Sequence, residues 1–487
     1  MPVRRLHRRP LMEGKGGTDE RRKRLALAGV MLSIFLAAME STVVATAMPR
    51  VVASLGGLEI YSWVFSGFLL TSTVTMPLWG RLSDLYGRRR IFLTGLTLFL
   101  AGSALSGAAH GMTQLIVFRM LQGLGAGALM PIGMTVVGEL FGLERRAKMQ
   151  GYISGVWGVA SLLGPLIGGL LTDHASWRWV FYINLPFGVL AMSLLARALD
   201  GAPAARRPVI DYAGLGLFTA GVSALLGGVL EAGRVGAWTG ADVLGLLAVA
   251  AVALPAFLGV ELRVPEPIVP LRLFGNRVVL AAAATGFLSG MAMFGAISFV
   301  PLFLQAVSGM SATAAGTVLI PFVFGWVAMS VTSARLVLRI GYRVVVVSGM
   351  VCLTVAFLLL SRWSAALTTG AAMRDALVGG VGMGLTMVPM LIAAQSAVER
   401  ADLGAATAMI QFFRTVGGAI GVAVMGAVMA WRLGAGGSHA EALHGVFVTG
   451  LLICLAALAS SFLVPAGRAQ DLARKPDLRG EPTRVGG

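Results

Sequence analysis

Long apolar runs, separated by short clusters of Arg, Asp, Gly and Pro, recur along almost the whole chain. They lie near 25–47, 61–80, 91–109, 113–135, 147–171, 179–198, 213–231, 240–260, 279–303, 313–333, 343–361, 372–394, 406–431 and 444–464. Each is roughly 18–25 residues long, which lets an α-helix cross a hydrocarbon core of about 30 Å. A helix pairs its own backbone groups, which lipid cannot do. The runs leave no room for a sizeable soluble domain. The pattern therefore predicts an all-α polytopic membrane protein of about fourteen spans.

The pattern also repeats. Arg81, Leu82, Gly87, Arg89 and Gly95 recur as Arg335, Leu336, Gly341, Arg343 and Gly349. At nearly the same offset Gly123, Gly125 and Gly127 recur as Gly380, Gly382 and Gly384, and Gly164 and Gly169 as Gly421 and Gly426. Such a long internal repeat predicts two equivalent six-helix bundles, at 25–198 and 279–464. Between them, 199–278 holds linkers and two inserted helices; 1–24 is a basic segment and 465–487 a polar tail. Two such halves with a site at their interface are the arrangement of an alternating-access transporter.

Composition narrows this further. Of 487 residues, 57% are hydrophobic and only 13% charged, which excludes an ordinary soluble protein. The net charge of +17 raises nucleic acid as a partner, but no aromatic residues interleave with the basic run. Its placement explains it instead. Lys and Arg concentrate in the segments on the side of the N-terminus, which sets both termini in the cytoplasm. The cluster from Arg4 to Arg24 anchors the first span and meets anionic lipid. The run behind it is too long for a signal peptide and lacks a cleavage site. Arginine far outnumbers lysine, and Gly and Ala abound, as in proteins from GC-rich bacterial genomes; the expected location is the bacterial cytoplasmic (inner) membrane. Cys352 and Cys454 lie in apolar runs and form no metal or disulfide pattern.

Ionisable groups inside a bilayer are costly and therefore informative. Glu40, Arg119 and Arg414 stand well inside the apolar runs. Helical rise places Glu40 about 21 Å from the cytoplasmic side and Arg119 about 9 Å from the outside. In a core of about 30 Å these are one level. An acid held between an arginine and apolar surroundings can alternate between binding a proton and binding a cation. The plainer alternative is an ion pair that locks two helices together, although stability alone rarely favours one. Arg414, about 14 Å deep, can line a cavity, attract anionic substrates or bond to carbonyls. Gln305, Gln395 and Gln411 are further candidates for polar contacts in a substrate cavity. Several enzyme classes lack their signatures. There is no phosphate-binding Gly-x4-Gly-Lys-Ser/Thr loop, and His439, Glu441 and His444 lack zinc-protease spacing. No nucleophile elbow accompanies a histidine and an acid. No metal, cofactor or enzymatic role is expected.

Residues 80–93 (GRLSDLYGRRRIFL) closely resemble the loop between the second and third helices of the major facilitator superfamily. Met39–Pro49 (MESTVVATAMP) resembles the first-helix signature of its fourteen-helix drug:proton antiporter family. That family usually has Asp where Glu40 stands and Asn where Ala45 stands. Leu115–Gly127 (LIVFRMLQGLGAG) looks like the fourth-helix signature whose arginine is implicated in proton transfer, here Arg119. Ala160–Gly169 (ASLLGPLIGG) is similar to the fifth-helix signature of antiporters, a kink carried by Gly164, Pro165, Gly168 and Gly169. Ser176–Gly188 (SWRWVFYINLPFG) also resembles the fourteen-helix family, its tryptophans read as an interfacial belt. The resemblance implies a proton-coupled exporter of lipophilic compounds, working as a monomer with Glu40 and Arg119 coupling protons. Glu40 would release a cationic or neutral drug when an external proton arrives. Gly80, Asp84, Gly87 and Arg88 would form a conformational latch, Asp84 meeting the positive start of the thirteenth helix near Gly404 to Thr407. Export of an endogenous metabolite or lipid is the alternative, and a membrane enzyme or sensor a remoter one.

Overall fold

The computed structural model describes residues 16–57, 60, 63–200, 211–235, 238–264, 267–310 and 312–464. Most of the expected basic segment, much of the first linker (201–210) and the tail from 465 lie outside the described residues. The chain forms α1 Gly16–Leu55, α2 Trp63–Tyr86, α3 Arg88–Gly107, α4 Met112–Leu140, α5 Leu143–His174, α6 Trp179–Tyr182, α7 Asn184–Ala198 and α8 Tyr212–Val235. It continues with α9 Ala241–Glu261, α10 Arg277–Ala306, α11 Ala312–Val318, α12 Ile320–Ile340, α13 Tyr342–Leu360, α14 Thr369–Ser396, α15 Leu403–Gly434 and α16 His439–Ser461.

Every expected apolar run falls on these helices, and two of the runs are broken. The break between α11 and α12 precedes Pro321, at the start of α12; that between α6 and α7 comes shortly before Pro186. Proline lacks an N–H and suits a first helical turn. Among the described residues, 12 helical stretches are long and apolar enough to cross a membrane. α2 and α5 fall outside that set. In α2 the hydroxyls of Thr71, Ser72, Thr73 and Thr75 fold back onto carbonyls of their own helix.

Helix packing repeats as the glycines do. α1 packs on α5 and α7, α2 and α3 on α4, and α3 on α7. Correspondingly, α10 packs on α15 and α16, α12 and α13 on α14, and α13 on α16. Small residues allow this closeness. A Cβ on Gly125 would lie 2.8 Å from Phe99 Cα, and one on Gly382 would lie 2.7 Å from the Gly349 carbonyl oxygen. The turns between α2 and α3 and between α12 and α13 rest on Gly87 (φ 92°) and Gly341 (φ 86°), a backbone region closed to most side chains. α8 and α9 pack on each other, and α8 leans on α2 and α15. The contact is aromatic and aliphatic: the Phe218 ring sits 5.1 Å from that of Phe257 and 5.5 Å from that of Phe412.

Of the two tryptophans of the expected belt, one is at the surface and the other is not. Trp179 is exposed, whereas Trp177 is buried, edge-on to Phe181 with Arg178 over its face. Cys454 is buried and Cys352 partly so, both free thiols.

Candidate functional site

Glu40 of α1 and Arg119 of α4 are both fully buried and form a direct ion pair. The pair is the centre of a wider network. Asn184, the first residue of α7, donates from Nδ2 to Glu40 Oε2 at 2.6 Å and to Ser103 Oγ of α3 at 2.9 Å. Arg119 donates to Gln122 Oε1 at 2.8 Å and to the Val64 carbonyl of α2 at 3.3 Å. The Phe68 ring lies 4.1 Å from the guanidinium carbon, a cation–π contact. Five helices thus meet at one charge pair. Asn184 and Gln122 stand inside the quoted motifs, where a buried amide in an apolar run was the available signal. Ser103 carried no signal beyond its hydroxyl.

A separate cavity of about 780 Å³ of empty space, its mouth included, lies between α4 and α5 on one side and α10, α12, α14 and α15 on the other. Its walls are largely apolar, with Met130, Met134, Met293, Met387, Trp157 and Trp326 among them. The two indole rings are 5.1 Å apart. Gln411 and Arg414 line it. The other two expected cavity residues lie elsewhere. Gln305 is exposed in the last turn of α10, where its amide folds back on the Pro301 carbonyl at 3.3 Å. Gln395 is buried beside the cavity's end, donating to Thr407 Oγ1 at 3.1 Å and to the Met134 carbonyl at 3.4 Å. Neither Glu40 nor Arg119 is in the lining. The charge pair and the cavity are distinct sites, joined by α4, which contributes to both.

At the α2–α3 turn, Asp84 ties the end of α2 to the start of α15. Its carboxylate accepts the backbone N–H of Gly404 at 3.2 Å and of Ala405 at 2.8 Å, at the start of α15. The positive end of a 32-residue helix favours this charge. Arg88 pairs with Asp84 and with Glu139 of α4 (2.8 Å), and donates to Ser83 Oγ at 2.6 Å. Gly80 faces α15 so closely that a Cβ there would lie 2.7 Å from the Gly404 carbonyl oxygen. Glu139 gave no sign of this role in the sequence, being one acid at a helix end.

α5 runs unbroken past the expected kink. Gly164 is buried against Thr42 and the Met39 carbonyl of α1, and Gly168 is buried. Gly169 has nothing within 4 Å of where a Cβ would stand. The side chain of Pro165 lies outside the described residues. Another buried acid carried no signal in the sequence. Asp375, near the start of α14, accepts the Trp363 indole N–H at 3.0 Å and pairs with Arg374 at 2.8 Å.

These features match known proteins. The profile of the Major Facilitator Superfamily matches residues 30–422. The chain is 40% identical over 422 residues to Multidrug transporter protein MdtP of Bacillus subtilis (strain 168), covering 87% of this chain and 77% of that protein. Multidrug resistance protein 3 of the same organism is 36% identical over 405 residues, 83% of this chain and 79% of that one. The structure of the proton:xylose symporter XylE bound to 6-bromo-6-deoxy-D-glucose shares the fold at a TM-score of 0.63 and 15% identity, covering 93% of this chain and 98% of that one. Profile, relatives and architecture point to a multi-pass membrane transporter rather than an enzyme, and the chain belongs to the major facilitator superfamily.

Proposed function

We propose that the protein is a fourteen-span proton-coupled antiporter that exports lipophilic compounds across the bacterial cytoplasmic membrane. In this reading both termini are cytoplasmic, the α2–α3 turn faces inward, and a monomer in contact with membrane lipid suffices. The observation that carries it is the fully buried Glu40–Arg119 pair, held by Asn184 on the helix assembly that also walls the cavity. Buried pairs seldom stabilise a fold over apolar packing, so this one is read as functional.

Glu40 lies outside the cavity lining, so a bound drug does not compete with the proton for its carboxylate. Coupling runs through packing instead. A proton entering from outside neutralises Glu40 and removes the counter-charge of Arg119. α4 then shifts against α1, and carries Met130 and Met134 of the cavity wall with it. Asp84 and Gly80 hold the inward mouth shut until α2 and α15 separate. Names of the similar Bacillus proteins support multidrug export.

The test is drug susceptibility of a hypersensitive strain expressing wild type or Glu40→Gln at matched membrane levels. Wild type is expected to protect and the variant to fail. Equal protection by both overturns the role of Glu40.

A further inference from the structure

The central cavity holds one charged side chain among the described residues, and it is a cation. Arg414 lies on α15, one turn beyond Gln411, and both line the cavity. Arg414 has no carboxylate partner among the described residues. Its Nε is covered and without a hydrogen-bond partner, and Nη1 lies 3.4 Å from Met387 Sδ, a weak acceptor. The buried arginines at the α2–α3 turn and in the charge pair differ. Arg88 has Asp84 and Glu139, and Arg119 has Glu40. α15 comes this close to α10 because Gly290 packs on the Arg414 backbone, where a Cβ would lie 3.2 Å from Cα. A guanidinium is thus brought to an apolar, aromatic-walled space with its donors largely unused.

We infer that the preferred substrate is a drug-sized lipophile carrying a single anionic group, a carboxylate or sulfonate, that docks on Arg414 with its apolar body between Trp157, Trp326 and the methionines. The inference rests on the exporter reading for the purpose of binding, and not on proton coupling. A guanidinium presents its N–H groups as a fork that matches a carboxylate, and low-polarity walls strengthen such a pair. Gln411 supplies a further polar contact on the same helix face. A lipophilic cation meets the opposite situation. The acid that would attract it, Glu40, is outside the lining and already paired, while Arg414 repels it.

Purified protein is titrated with 2-naphthoate, 2-naphthamide and 2-naphthylmethylammonium, following quenching of tryptophan fluorescence. These share one apolar body and differ in charge. Wild type is expected to bind naphthoate at least about tenfold more tightly than the amide, the worth of one charged hydrogen bond, and the ammonium more weakly still. Arg414→Gln should lower naphthoate binding to the level of the amide while leaving the amide unchanged; Arg414→Lys should retain part of the preference. Equal binding of naphthoate and amide by wild type overturns the inference. So does a preference that survives Arg414→Gln, or the absence of saturable naphthoate binding. Proton-driven export of neutral dyes, measured separately, distinguishes the two readings. Export without anion preference leaves the exporter standing and removes this inference; anion preference without export does the reverse.

Discussion

Asp84→Asn is the sharpest perturbation of the contact between α2 and α15. The carboxylate caps α15 through two N–H groups, at 3.2 and 2.8 Å, and balances Arg88. Asparagine keeps one acceptor oxygen. Its NH2 would face either a helix N–H or the guanidinium, donor against donor. At least one charge-assisted bond is lost, about 1.5–3 kcal/mol, together with the attraction of the helix end. The two N–H contacts exist only where α2 touches α15, so losing them weakens the closed arrangement alone, whereas the lost pairing with Arg88 of α3 affects both arrangements alike. The ratio of closed to open should fall about 10- to 150-fold. Spin labels at Arg90 and Glu399, both exposed near this contact, report it in a background without Cys352 and Cys454. The expected result is a longer-distance population that is rare in wild type. An unchanged distance distribution with weakened substrate binding would refute the latch.

Three other substitutions separate the parts. Gly125→Ala puts a Cβ 2.5 Å from the Gly95 carbonyl oxygen; overpacking of about 1–3 kcal/mol should lower the Tm in detergent, and an unaltered Tm would contradict the packing. Asn184→Ala strands Glu40 Oε2, so proton-driven efflux should fall at least about tenfold while cavity binding persists. Equal losses in both would make Asn184 a packing residue. Asp375→Ala deprives the Trp363 N–H of its acceptor and should cost about 1–3 kcal/mol of stability with transport retained. Loss of transport at full stability would give Asp375 a coupling role.

The helices were legible because lipid demands long apolar runs, and every one of them is helical here. The glycine repeat was legible because close packing leaves no alternative residue at positions such as Gly125 and Gly382. Depth along a helix was legible too: counting residues set Glu40 and Arg119 at one level, and they are in contact. Rotation about the helix axis was not. The count of turns did not show that Glu40 faces the interior of α1, α4 and α7 and not the cavity. For the same reason Gln305, polar and near a helix end, was wrongly grouped with Gln411. Asp375 was missed because α14 starts at Thr369, a turn earlier than the apolar run. Partners such as Asn184 and Glu139 depend on contacts between segments far apart in the chain, which no single run encodes.

Glu40 is proposed to exchange substrate for protons. Proteoliposomes with a pH-sensitive dye in the lumen test it directly, with lipophilic substrate added on one side and no imposed gradient. Wild type should move protons opposite to the substrate, saturably, and Glu40→Gln should move none. Substrate transport without proton movement in wild type, or proton movement undiminished in Glu40→Gln, would contradict the account.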